Sequence, residues 1–364
     1  MSLGMNSELN AAQLLDGKRV CVCVGAGGVG KTTTAAALAL GMAARGLKVA
    51  VVTIDPANRL ADALGLEQLG NEPRRVAPER LAGLKLKGEL WAMMLDPKRT
   101  FDELIDRIAP SPERAEEIKR NGVYRELSTA VSGSQEFTAI EKLYELVAED
   151  YDLIVLDTPP AHNAVEFLGA PGRLTAFLGG GALQAFLHPS GLGMRLLSLG
   201  TAPLLAALKL VTGVTVVADV TAFFGLLGGM TDEFRARAKR VEELLHAPDT
   251  AFVLVTSPAD RPVDEAIWFR ETLRERGMPF TGAIVNRLHR PLPPGVVPLD
   301  LPGDLTARVA TSVRDYTVLA QRDATNLERL RSAFDPEPIL QVPELAADID
   351  DIGGLLAIQE RLFG

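Results

Sequence analysis

One segment restricts the fold more than any other: a glycine-rich loop between a strand-like run and a helix-like run. Residues 25–32 read Gly-Ala-Gly-Gly-Val-Gly-Lys-Thr and satisfy the pattern G-x-x-x-x-G-K-[ST]. Residues 19–24 before the loop are largely apolar and rich in valine, and residues 33–44 after it are rich in Ala and Leu and end before Gly46. A strand, a loop and a helix in this order predict a phosphate-binding loop, the alternative being a chance match in an ordinary glycine turn.

Each residue type in this loop has a role in phosphate binding. Glycines let the backbone approach the phosphates, and the N-terminus of the following helix adds positive potential. Lys31 neutralises phosphate charge, and the hydroxyl of Thr32 can ligate Mg²⁺. We therefore expect a nucleoside triphosphate to bind through Gly25, Gly27, Gly28, Val29, Gly30, Lys31, Thr32 and Thr33.

Composition and charge disfavour several other kinds of protein. Apolar residues make up 47% of the 364 residues, which is enough for the core of one enlarged α/β unit. The net charge is −9 and no long block of Lys and Arg occurs, so a nucleic-acid partner is disfavoured. Two cysteines and no C-x-x-C argue against structural zinc and a disulfide scaffold. The N-terminus lacks a signal-peptide profile, so we expect a cytoplasmic protein, and residues 1–4 before Met5 resemble a cloning remnant.

Apolar runs alternate with helix-like segments, such as residues 264–276, along the rest of the chain. Continuous apolar runs of this kind are typical of parallel strands, and they occur at residues 48–54, 90–95, 151–156, 251–256, 282–285 and 339–342. We expect a doubly wound, mostly parallel α/β sheet of the P-loop NTPase type in a single domain over residues 1–364. Two segments interrupt the alternation and are predicted to be helical insertions, about 101–147 and about 165–245.

Two aspartates follow predicted strands and supply acidic groups near the loop. Ligands of open α/β sheets bind at the carboxyl ends of the strands. Asp157 ends the apolar run 153–156, as in a Walker B segment, and is predicted to hold Mg²⁺ through its water shell. Asp55 ends the second strand and can orient the water that attacks the γ-phosphate. The alternatives are an N-cap aspartate at 157 and a plain Asp-Pro turn at 55.

The order of these motifs resembles one family of ATPases. After the phosphate loop come Asp-Pro-Ala-Asn, Asp-Thr-Pro-Pro, Ile-Val-Asn-Arg and Val-Pro-Glu-Leu, which begin at residues 55, 157, 284 and 342. This order is similar to that of the arsenite-pump and tail-anchored-protein-targeting ATPases, the anion-transporting ATPase family. That family belongs to the deviant Walker A class of P-loop ATPases.

The resemblance implies an ATPase that uses ATP and Mg²⁺ and works as a dimer. It places Asp55 in switch I as the catalytic residue that positions water, with Lys31 on the phosphates, and it places residues 157–163 in switch II. It also implies that Asn286, Pro343 and Leu345 lie beside the adenine. From the residues alone, Asn286 is equally an ordinary turn residue.

Three departures from the family pattern bear on activity. The family's signature lysine, which follows the first glycine and reaches the phosphates of the partner subunit, is replaced by Ala26. Its loss implies slow hydrolysis or a charge that a partner subunit supplies. In switch II, His162 is displaced by one position, which favours a loop or interface role over catalysis. The family's zinc-binding and metalloid-binding cysteines are absent, which argues against a soft-metal substrate.

The apolar segment at about 165–245 has three explanations. Its helices can bury their apolar faces against each other or at a dimer interface. The resemblance suggests instead a Met- and Leu-rich groove for a hydrophobic helix of a membrane-protein client. A transmembrane span is disfavoured because charged residues, glycines and a proline interrupt the apolar run, among them Arg195, Lys209, Asp219 and Pro203.

We therefore expect a Mg²⁺-dependent, ATP-hydrolysing switch protein that forms a homodimer or a heterodimer with a related ATPase. The alternative is a catalytically weak nucleotide-binding subunit of a heterodimeric ATPase, which Ala26 favours. A partition-type ATPase acting on DNA or a membrane surface is disfavoured, since a basic surface and a terminal amphipathic helix are not convincing here.

Overall fold

A mostly parallel β-sheet forms the centre of the protein. The computed structural model describes residues 9–55, 57–81, 83–122, 124–125, 134–159, 169, 225–226, 230–293, 305–345 and 351–364. Within these ranges the strands are β1 (Val20–Val24), β2 (Lys48–Thr53), β3 (Arg74–Arg75), β4 (Glu89–Met94), β5 (Leu153–Asp157), β6 (Thr250–Thr256), β7 (Phe280–Leu288) and β8 (Ile339–Pro343). Their order in the sheet is β3-β4-β2-β5-β1-β6-β7-β8, and every neighbouring pair except β3 with β4 is parallel. The predicted α/β fold is confirmed.

Helices connect these strands, as expected for parallel strands, which cannot be joined by tight hairpins. In chain order they are α1 (Ala11–Leu14), α2 (Lys31–Ala44), α3 (Arg59–Ala63), α4 (Pro97–Ile108), α5 (Pro112–Arg120), α6 (Ser134–Val147), α7 (Thr231–His246), α8 (Asp260–Glu275), α9 (Leu305–Phe334) and α10 (Ile352–Phe363). No helix in the described part of the chain is both long and apolar enough to cross a membrane.

Strand β1 lies inside the sheet between β5 and β6, and both of these neighbours are remote from it in sequence. All five residues of β1 and all five of β5 are buried, which explains their continuous apolar runs. In the register of the sheet Asp157 of β5 lies between Cys23 of β1 and Thr53 of β2. The ends of three strands therefore meet where ligands of open α/β sheets bind.

The predicted strands are all present, with ends that differ by one to three residues. Strand β3 is not predicted by the sequence, because it has only two residues and both are exposed arginines. Helices α9 and α10 are likewise absent from the sequence predictions. Helix α2 begins at Lys31 rather than at residue 33, because Gly30 in a left-handed conformation precedes its first turn.

The chain divides into two compact units. The first comprises Met1–Met94, Leu146–Val165 and His246–Gly364 and contains the sheet. The second comprises Leu95–Glu145 and Glu166–Leu245, and helices α4, α5 and α7 contribute to its own apolar cluster. The segment predicted as 101–147 is helical where described, whereas most of the segment predicted as 165–245 lies outside the described residues.

Close packing of α10 on α2 depends on one glycine. A Cβ added at Gly41 in α2 would overlap the ring of Phe363, which is buried near the end of α10. The guanidinium of Arg45 lies 4.7 Å from the centre of that ring and donates a hydrogen bond to the Phe363 carbonyl at 3.0 Å. The C-terminal helix is thereby held against the helix that begins at the phosphate loop.

We expect Gly41→Ala to lower the free energy of unfolding by about 1–3 kcal/mol, because the new methyl group displaces Phe363. In an open helix the same change stabilises by about 1 kcal/mol. Urea unfolding of the two proteins measures the difference. Gly353→Ala is a matched control, since a Cβ there meets only the carboxylate of Asp351, at 3.3 Å. A Gly41→Ala protein as stable as the parent contradicts this packing.

Candidate nucleotide-binding site

The glycine-rich loop connects β1 to α2, and at two of its positions neighbouring atoms leave no room for a Cβ. Gly25 has φ +156° and a Cβ there would overlap the backbone carbonyl of Val255 in β6. Gly30 has φ +92° and a Cβ there would overlap the side-chain amide of Asn286. Between them, Gly27 and Gly28 are exposed, so the tip of the loop faces solvent. The loop is fixed at both ends and open at its tip, as phosphate binding requires.

An apolar contact and a hydrogen bond support the loop from beneath. Ala26 and Val29 pack with Val255, and all three are buried. The amide of Asn286, which is also buried, donates to the Val29 carbonyl at 3.0 Å, and its oxygen accepts from the backbone N–H of Arg287 at 3.0 Å. Asn286 therefore holds the loop in place, and the adenine contact expected from the resemblance stays a prediction.

Lys31, the first residue of α2, is buried and points back into the loop. Its ammonium donates a hydrogen bond to the carbonyl of Ala26 at 2.8 Å. Burial lowers the pKa of Lys31, while the nearby charges of Asp157 and Asp55 oppose that change. The positive charge of Arg59 lowers this pKa further, so Arg59 acts on the same lysine. The ammonium is thus in the loop and can exchange a weak carbonyl partner for phosphate oxygens.

Asp157 lies at the end of β5 with its two carboxylate oxygens in different surroundings. Its Oδ2 accepts hydrogen bonds from the hydroxyls of Thr32 at 2.7 Å and Thr53 at 3.0 Å. Its Oδ1 is buried and makes no hydrogen bond. Burial raises the pKa of Asp157 to about 6, although both hydroxyls and Lys31 favour the ionised form. A buried oxygen beside the Thr32 hydroxyl is the donor set that Mg²⁺ prefers, so these residues fit the ion.

Asp55 follows β2 and faces the solvent side of the site. Its Oδ1 accepts from the backbone N–H of Ala57 at 3.0 Å, and its own N–H donates to the Thr53 hydroxyl at 3.2 Å. Its Oδ2 lies 3.7 Å from a guanidinium nitrogen of Arg59, the first residue of α3. The Asx turn fixes the direction of the carboxylate, and about one third of the side chain is exposed, so water can reach it.

The structure describes Thr33, Pro343, Leu345 and part of the segment predicted as switch II. Thr33 is partly buried in the first turn of α2. Pro343 ends β8 in register with Leu288 of β7, and Leu345 packs partly buried against the main core. In switch II the Thr158 hydroxyl donates to the Cys23 carbonyl at 2.8 Å. Residues 160–163, including His162, lie outside the described residues.

Two residues that contact the predicted site aspartates were not predicted from the sequence. Thr53 is the last residue of an apolar strand, and only the register of β2 with β5 shows that its hydroxyl reaches Asp157. Arg59 lies four residues after Asp55, which is the spacing of an ion pair across one helical turn. That spacing is a weak signal, because such pairs are common on exposed helix surfaces.

Comparison with known proteins gives a consistent family and several distant relatives. A family model described as anion-transporting ATPase matches residues 18–293. The chain is 31% identical over 124 residues to "ATPase get3" of Schizosaccharomyces japonicus, which covers 34% of this chain and 35% of the relative. It is 26% identical over 272 residues to "ATPase ARSA1" of Chlamydomonas reinhardtii, and the aligned region covers 67% of this chain and 31% of the relative. The chain thus spans about a third of the length of these two relatives.

A further relative matches along nearly its whole length. The chain is 24% identical over 351 residues to "ATPase BagA" of Mycobacterium tuberculosis, which covers 89% of this chain and 86% of the relative. The family match extends from before β1 to beyond β7 and contains the phosphate loop, Asp55, Asp157 and Asn286. This chain belongs to the anion-transporting ATPase family.

Proposed function

We propose that the protein is a Mg²⁺-dependent ATPase that binds ATP on the loop 25–32 and hydrolyses it with water. The observation that carries the proposal is the Asp157 carboxylate, which has one oxygen bound to Thr32 and Thr53 and the other buried without a hydrogen-bond partner. A buried, unpartnered carboxylate oxygen is costly to keep unless a cation completes the site. Its position beside the phosphate loop supports a metal–nucleotide complex.

Different residues of the chain have different roles in the proposed hydrolysis. Backbone N–H groups of the loop hold the phosphates, and Lys31 moves its ammonium from the Ala26 carbonyl to the β- and γ-phosphate oxygens. Thr32 and Asp157 would hold Mg²⁺, Asp157 through water, and the bound ion would neutralise charge on the phosphates. Asp55, whose carboxylate is oriented by the Ala57 N–H, positions the attacking water.

Larger assembly and client are proposed from the family alone. The relatives are named as ATPases. The family resemblance supports a dimeric switch protein that works in the cytoplasm and has a hydrophobic helix or a membrane protein as its client. The apolar segment 165–245 that would form such a groove lies mostly outside the described residues. The nucleotide site therefore carries the proposal.

We expect Asp55→Asn to lower kcat about 10²-fold or more while ATP still binds, because the amide cannot orient water as the carboxylate does. Phosphate release under saturating ATP and Mg²⁺ measures turnover, and a fluorescent ATP analogue measures binding. Asp62→Asn is a matched control, because Asp62 lies in α3, close in sequence to Asp55. Unchanged turnover with intact binding would remove Asp55 from the mechanism.

The Asp157→Asn protein is expected to lose its Mg²⁺-dependent gain in stability with ATP and to be more stable than the parent without nucleotide. A pKa of about 6 in the folded protein, against about 3.9 unfolded, costs roughly 3 kcal/mol when the carboxylate is ionised. This cost is complete above pH 6 and disappears as the pH falls through 6 toward 4, since the folded protein then binds the proton more tightly.

The advantage of Asp157→Asn in the nucleotide-free protein should therefore be full at about pH 8 and about half as large at about pH 5. Urea unfolding at both pH values measures it. In the Asp157→Asn protein the asparagine side chain occupies the position that lacks a hydrogen-bond partner, and this lowers stability equally at both pH values. The pH dependence therefore reports the effect of the charge alone. An advantage that does not change with pH contradicts the assignment of a strained, ionised Asp157.

The rival function is a nucleotide-binding regulatory subunit with little activity, and Ala26 is the observation that favours it. Its methyl group is buried against Val29 and Val255 and brings no charge to the phosphates. We expect the unmodified protein to hydrolyse ATP. Turnover of the parent, Ala26→Lys and the uncharged Ala26→Met separates the two functions. Activity gained only with lysine, by about 10³-fold as a missing cation would give, contradicts our proposal and supports the regulatory subunit.

A further inference from the structure

Hydrolysis at this site lacks one positive charge. Negative charge develops on the γ-phosphate in the transition state, and P-loop enzymes commonly add a second cation besides the loop lysine. The position after the first glycine cannot supply it, because Ala26 is apolar, buried and packed under the loop. A cation for the γ-phosphate therefore has to come from another residue.

Arg59 lies beside Asp55, the residue proposed to position the water that attacks the γ-phosphate. It is the first residue of α3, four residues after Asp55, and its guanidinium is 3.7 Å from Asp55 Oδ2. The Asp55 carboxylate is itself fixed through its other oxygen by the Ala57 N–H. The guanidinium thus lies beside the carboxylate that is proposed to position the attacking water.

The attachment of Arg59 is loose enough to be exchanged for a phosphate. About two thirds of its side chain is exposed, and an exposed pair at this distance contributes little to stability. A guanidinium binds phosphate oxygens in a planar, bidentate geometry and stays charged at all working pH values. Its charge also acts on Lys31, the loop residue that contacts the β- and γ-phosphates in this motif.

We propose that Arg59 binds the γ-phosphate from within the same subunit and stabilises the negative charge of the transition state. The inference rests on the proposed ATP hydrolysis. In that reaction the water oxygen forms a bond to the γ-phosphorus, and the bond from phosphorus to the β–γ bridging oxygen breaks. Its electron pair leaves on ADP, and water gives one proton to the solvent. Arg59 changes no bond and acts by charge and hydrogen bonding.

The test compares Arg59→Ala and Arg59→Lys with the parent and with the control Arg261→Ala. Arg261 is also an exposed arginine at the start of a helix, and it pairs with Glu265 across one turn of α8. Two quantities are measured: kcat for ATP, and the affinity for ADP with aluminium fluoride, a mimic of the transition state, relative to ADP alone. We expect Arg59→Ala to lower kcat and the affinity for the mimic about 10²- to 10³-fold, with the affinity for ADP nearly unchanged.

Arg59→Lys should recover part of both losses, since lysine keeps the charge without the bidentate geometry, and Arg261→Ala should match the parent. Unchanged kcat and unchanged affinity for the mimic in Arg59→Ala overturn the proposal. The same measurement in an Asp55→Asn background separates contact from positioning. Arg59→Ala must weaken the mimic there too, and a loss seen only when Asp55 is intact makes Arg59 a positioning residue and overturns direct contact.

Failure of the inference is distinguishable from failure of the proposed function. A parent protein that binds ATP but releases no phosphate contradicts hydrolysis. Binding of the ADP–aluminium fluoride mimic still reports on Arg59 in that case, because it requires no turnover. Hydrolysis by the parent with an inert Arg59 leaves the ATPase function in place and removes only the arginine.

Discussion

The carboxylate of Asp157 is the interaction on which the site depends. Through one oxygen it joins the hydroxyl of Thr32, at the start of α2, to the hydroxyl of Thr53, at the end of β2. Three elements that are distant in sequence are thereby held at one edge of the sheet, with the phosphate loop between them. The remaining oxygen is left buried and unpartnered, so the arrangement that organises the site also reserves a position for a cation.

This organisation lowers the stability of the nucleotide-free protein. Burial raises the pKa of Asp157 and lowers that of Lys31, so each group is held in surroundings that oppose its charge. Binding of the proposed metal–nucleotide complex would satisfy both groups at once and would stabilise the folded state by RT ln(1 + [L]/Kd). Under the proposed function, occupancy of the site would bear directly on Asp55 and Asp157, which lie where β2 and β5 end.

Much of the fold could be predicted from the sequence, because buried parallel strands give continuous apolar runs and the phosphate loop fixes their polarity. The contact of Asp157 with Thr53 could not be predicted, since Thr53 reaches it only through the register of β2 with β5. Strand β3 is too short for a pattern, and the packing of α10 on α2 depends on Gly41, which inside an Ala-rich helix looks neutral. The hydrogen bond from the Asn286 amide to the Val29 carbonyl could not be predicted either, because residue type alone does not tell which side of a loop an amide faces, and the adenine contact implied by the resemblance stays a prediction.

Ala26 and Arg59 both bear on the source of the second positive charge for the γ-phosphate. A lysine at position 26 would act on the phosphates of another subunit, so a chain that relied on it could complete its chemistry only in a dimer. Here position 26 serves the packing of the loop on Val255, and the nearest exposed cation described beside Asp55 is Arg59 of the same chain. A charge supplied within one subunit separates hydrolysis from association. Under the proposed role of Arg59, ATP hydrolysis would therefore not require a second subunit, and the proposed dimer would not be needed to complete the catalytic site.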